Sequence, residues 1–121
     1  MKYDRLYSDD DGKTHFDEVE VALESTDFAP PAPAFYASAA VAAERYLFAR
    51  IPVGWEGPIH PTPKRQLWIG TSGQSDITAG SGETRRYGPG DVLQLDDERS
   101  HGHVTRVVGD EAFCGVFVQL D

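Results

Sequence analysis

Short runs in which apolar and polar residues alternate, glycine- or proline-bearing turns at close spacing, and an almost complete lack of helical periodicity predict an all-β domain, a sandwich or barrel of the jelly-roll kind. A chain of 121 residues matches one domain with one core. At this size roughly two thirds of the unfolded chain's surface is buried on folding, so neither a disulfide nor a structural metal is needed for stability.

The first fourteen residues are polar and acidic, with a turn signal at Asp9–Gly12, and Phe16–Leu23 then alternates as an edge strand does. Residues 1–24 therefore read as an N-terminal segment and edge strand attached to a barrel over residues 25–121. Pro30, Pro31 and Pro33 exclude a helix or a central strand around them, and the alanine-rich stretch 37–45 suits either a helical turn or a loose strand. Tyr46–Val53 is β-compatible. Pro52, Gly54, Gly57, Pro58, Pro61 and Pro63 then force a loop over 54–63. Strands are expected at Gln66–Thr71, Thr84–Tyr87, Asp91–Leu95, His103–Val108 and Ala112–Leu120.

Eleven basic against twenty acidic residues leave a net charge of −9, a field that repels phosphate backbones and anionic bilayers. Nucleic acid and membrane are thus not expected as partners, and no stretch approaches the roughly 20 apolar residues that span a bilayer. The N-terminus lacks the apolar core of a secretion signal, and the single Cys114 cannot form an internal disulfide. A cytoplasmic location follows as the expectation. Cys114 itself reads as a small hydrophobe in a buried closing strand.

Two stretches carry chemistry. In the first, Gly54 stands six positions ahead of His60, followed by Thr62, Gln66 and Gly73; in the second, Gly88, Pro89, Gly90 and Asp91 form a turn followed by His101 and His103. Together they resemble the two conserved motifs of the cupin family, and the surroundings resemble small bacterial single-domain cupins. The resemblance implies a double-stranded β-helix, a jelly-roll barrel. By the same register His60 takes the first histidine position, Thr62 the second, Gln66 the glutamate, and His101 or His103 the last histidine. His103 agrees better with the small bacterial group.

In the family, three histidines and a glutamate hold a divalent ion such as iron, manganese, nickel or zinc. Here the corresponding set is His60, Gln66 and His103, with His101 as the alternative to His103 and Asp96 or Glu56 as a carboxylate that would partly restore charge. Without a metal, a histidine that titrates near neutrality serves as general acid or base in an apolar pocket. The expected function is therefore non-redox proton transfer on a small organic metabolite, an isomerisation, cyclisation or elimination, with His60, Gln66 and His103 as catalytic candidates. A mononuclear-metal oxygenase and a non-catalytic binding module are the alternatives. Trp55, Trp68, Tyr46, Phe48 and Phe117 are candidates to line the pocket, and Arg65 to hold a substrate carboxylate. Alternation sets Gln66 and Trp68 against Arg65 and Leu67, so Gln66 is expected inside. The resemblance also implies a homodimer that exchanges or packs the strand Phe16–Leu23.

Overall fold

A computed structural model describes residues 1–121 and holds eleven strands and no helix. In chain order they are β1 Lys2–Ser8, β2 Thr14–Glu20, β3 Glu24–Thr26, β4 Phe35–Ala37, β5 Arg45–Ile51, β6 Gln66–Ser72, β7 Gln74–Thr78, β8 Thr84–Tyr87, β9 Val92–Asp96, β10 Val104–Val108 and β11 Phe113–Gln119. A six-stranded sheet runs β2-β1-β9-β6-β11-β5 and a three-stranded sheet β10-β7-β8, while β3 and β4 form a separate hairpin. The inner faces of the two larger sheets meet over a core that includes Leu6, Phe16, Trp68, Ile77, Leu93 and Phe113.

Four strands escaped the sequence reading, for physical reasons. In β1 only Leu6 is fully buried, and its polar neighbours are absorbed by partners: Arg5 pairs with Asp17, and Asp4 accepts from the Tyr87 hydroxyl at 2.8 Å. β7 has just Ser75 and Ile77 facing inward, and β3 and β4 are three residues each. Residues 38–44 form neither a helical turn nor a strand but irregular chain. β2 occupies the edge of the large sheet and pairs with β1 along its whole length within the same chain.

Cys114 is not a core residue. β11 turns Phe113 and Gly115 inward, so Cys114 lies half-buried on the outer face, next to Arg50 and Ser72 on the flanking strands. The same alternation builds two apolar rows across the outside of the sheet, Tyr46–Val118–Leu67 and Phe48–Val116–Ile69.

On the small sheet Asp76 binds Arg86 from the facing strand at 2.8 and 3.1 Å, with Arg106 on its other side at 3.5 Å. The hydrogen bond from Arg86 holds the Asp76 carboxyl below its ordinary value of 3.8. A carboxylate with a depressed folded pKa adds stability that is complete above the unfolded value, about 4, and disappears as pH falls through the folded one. Asp76→Asn should therefore lower the unfolding free energy from urea titration near neutral pH, by less than about 1 kcal/mol because both guanidiniums face solvent. The gap from the parent protein should close well below pH 4. A gap that persists in acid would mean that packing, not charge, carries the effect.

Candidate functional site

The loop between β5 and β6 lies antiparallel against β10, through bridges at Glu56–Arg106 and His60–His103. His60 and His103 exchange two backbone hydrogen bonds, N to O at 3.1 and 3.0 Å, and their rings stand 5.2 Å apart. Gly102 makes this approach feasible. It has φ +105°, and a Cβ there would sit 2.5 to 2.8 Å from the backbone of His60.

The paired loops close one end of a cavity of about 170 Å³ between the two sheets. Its floor is apolar: Trp68 from β6, Leu93 from β9, and Phe113 and Phe117 from β11. The Trp68 ring packs against Phe113 and Phe117, each 4.7 Å away between centroids, and rests on Gly115, where a Cβ would come within 2.5 Å of the indole. Its Nε1–H is buried with no partner in the chain. Trp55 stands at the mouth, edge-on to His60 at 6.4 Å between centroids.

Both histidines are oriented through Nδ1. His103 is 4% exposed and its Nδ1 lies 2.6 Å from Oδ2 of Asp97, which is 0% exposed. A carboxylate accepts, so Nδ1 carries the hydrogen, and in the neutral ring Nε2 holds the lone pair. Asp97 is fixed in turn by the Thr62 backbone N–H and the Ser100 hydroxyl, both at 3.4 Å, and it opens the turn closed by Ser100 N–H to Asp97 O at 3.0 Å. The Nδ1–H of His60 donates to the carbonyl of Pro58 at 2.9 Å. With each Nδ1 engaged, the Nε2 edges of two imidazoles are left to the one cavity that both rings line.

Gln66 and Thr62 also line the cavity, but their polar atoms are committed. Gln66 Nε2 donates to the Thr62 hydroxyl at 2.9 Å, that hydroxyl donates to the Lys64 carbonyl at 2.8 Å, and Gln66 Oε1 accepts from Gln119 at 3.2 Å. This network positions the entry of β6.

Several expected lining residues lie elsewhere. Arg65 points outward, as the parity of β6 requires, to Asp96 at 3.0 Å and Asp121 at 3.7 Å, so it holds no ligand in the cavity. Asp96 is engaged there, by Arg65 and by Gln94, and is no neighbour of the histidines. Tyr46 and Phe48 are 71% and 77% exposed, because β5 turns Ala49 and Ile51 inward. His101 sits on the surface over the first hairpin, where its Nε2 meets the Asp11 carbonyl at 3.0 Å and its N–H donates to Gly12 O at 2.8 Å. Asp97, by contrast, was missed. The parity of Leu93 and Leu95 carried on one more step would have put it on the interior side.

The donors do not make a resident metal site. No three His, Cys, Asp or Glu side chains converge. The lining offers a dication two imidazoles and an amide already bound to Thr62 and Gln119, with no carboxylate ligand among them.

Among solved structures the chain is similar to a Cupin 2 conserved barrel domain protein from Salinispora arenicola, with 21% identity, a TM-score of 0.51, and coverage of 82% of this chain and 76% of that one. It is also similar to the Cnp3 cupin domain of Schizosaccharomyces pombe, with 16% identity, a TM-score of 0.46, and coverage of 89% and 78%. No family model and no curated protein matches the sequence. The chain has the cupin fold, an all-β double-stranded β-helix.

Proposed function

We propose that this protein is a small-molecule cupin enzyme that moves a proton on an organic substrate without a redox step, in an isomerisation, cyclisation or elimination. The observation that carries this reading is the buried Asp97–His103 pair at 2.6 Å, opening on an apolar cavity across from His60. Asp97 holds His103 in the tautomer that leaves Nε2 as a base and would stabilise the imidazolium formed when it takes a proton. His60, 5.2 Å away between ring centroids, would enter the cycle as the imidazolium and give the Nε2 proton to another atom of the same substrate, so that His60 ends neutral and His103 ends protonated. Asp97 is a positioning residue, since it acts through His103.

Deuterium uptake tests this without knowing the substrate. A panel of small cyclic ketones and phenols is incubated with the protein in D2O and followed by proton NMR. At least one compound should exchange a C–H, the rate falling at least about 100-fold in His103→Ala and remaining unchanged in His101→Ala. In Asp97→Asn the ¹⁵N tautomer signature of His103 should change even before any substrate is added. Exchange that survives in His103→Ala, or none anywhere in the panel, would sink the reading.

We further propose that the partner of the chain is a second copy. Phe28, Phe35, Tyr36, Tyr46 and Phe48 are 69%, 48%, 72%, 71% and 77% exposed, on the β3–β4 arm and the free edge strand β5. At about 200 Å² per aromatic side chain they alone offer on the order of 600 Å², against about 800 Å² per partner in a standard interface. Light scattering should give a dimer mass, and the double variant Tyr46→Glu with Phe48→Glu a monomer. A monomeric parent protein at tens of micromolar would rule the dimer out.

A further inference from the structure

We propose that the cavity selects an uncharged molecule the size of a single substituted six-membered ring, and that it turns away carboxylates and phosphates. This rests on the cavity being a ligand site, as argued above, and goes on to name the ligand class.

Size comes first. The cavity holds about 170 Å³, and an apolar protein cavity of about 150 Å³ takes one benzene. One ring with a small substituent fills it. A disaccharide or a nucleotide does not enter.

Charge decides the rest. None of the fourteen lining residues is Lys, Arg, Asp or Glu. The arginines with side-chain carboxylate partners spend their charge outside the lining: Arg5 on Asp17, Arg65 on Asp96, Arg85 on Asp4 and Glu83, and Arg86 and Arg106 on Asp76. A carboxylate, that of Asp97, is bonded directly to a lining side chain. An anion carried into this space would give up its hydration, find no permanently charged cation, and meet the negative field behind His103. The chain's net charge of −9 acts in the same direction during approach.

A neutral ring finds a complementary surface instead. Trp68, Phe113 and Phe117 present aromatic faces and edges, and the Nε2 of His103 accepts a hydrogen bond from a ring hydroxyl. An ammonium group would suit Asp97, but it would have to lose its own hydration beneath an imidazole that already occupies that carboxylate.

Phenol, benzoate and benzylamine share a ring and differ in charge near neutral pH, so they separate the possibilities. Each is titrated into the intact parent protein while the Trp68 indole N–H and the ring signals of His60, His101 and His103 are followed by NMR. Phenol should shift the Trp68, His60 and His103 signals with a Kd of about millimolar, leaving His101 still. Benzoate and benzylamine should bind at least tenfold more weakly. If either charged ring shifts the same signals with equal or greater affinity, charge selection is wrong while the ligand site stands. If none of the three moves a cavity signal, both the selection and the ligand-site reading fall.

Discussion

Gly102→Ala is expected to cost about 2–5 kcal/mol and to separate the two histidines, because it adds a forbidden contact to a strained backbone conformation. The new methyl would lie 2.5 to 2.8 Å from the backbone of His60, and φ at this position is +105°. Relief requires the loop before β6 to lift from β10, and that movement breaks both hydrogen bonds of the His60–His103 bridge. Gly109→Ala separates the two contributions. Its φ is +81° but nothing lies within 4 Å of its missing Cβ, so it carries only the conformational strain, about 1–2 kcal/mol. Unfolding free energies of the two variants from urea titration should differ by at least about 1 kcal/mol, with the His103 NMR signals displaced in Gly102→Ala alone. Equal costs would show that the loops approach less closely than described.

Trp68→Ala should cost about 3–5 kcal/mol, the range for a buried tryptophan reduced to alanine. The ring is 3% exposed, lies between Phe113 and Phe117 at 4.7 Å from each, and covers Gly115, which has no side chain to fill the space the indole leaves. Collapse is resisted because these neighbours are held by strands hydrogen-bonded on both sides. Trp68→Phe should lose less, since an aromatic face remains and the buried Nε1–H, which has no partner, disappears with the indole. A phenylalanine variant as unstable as the alanine one would mean that Nε1–H has an unseen partner. The alanine variant should also admit probes larger than one ring.

Much of the architecture was legible in the chain itself. Alternation in Gln66–Thr71 and the Gly88–Asp91 turn led to the strands that carry the cavity, and the same parity correctly set Gln66 and Trp68 inward against Arg65 and Leu67. Where the reading fell short, few side chains touched the core. In β1 a single leucine does so, and its charged neighbours are satisfied only by partners on β2, β8 and β9. The exposed aromatics of β5 show a related difficulty. Alternation tells two faces apart, but an apolar outer face looks like an apolar inner one until the neighbouring strands are known.

The sequence by itself determined the all-β class, the positions of the turns, the loop that carries His60, and the presence of two candidate histidines in the second motif. Only the tertiary structure decided that His103 faces the cavity while His101 rests on the first hairpin, that Asp97 stands behind His103, and that no charged side chain lines the space. The physical reason is distance along the chain. Alternation and turn chemistry act over a few residues and are written locally, whereas His60 meets His103, and Thr62 meets Asp97, across stretches of chain whose meeting depends on how the sheets close.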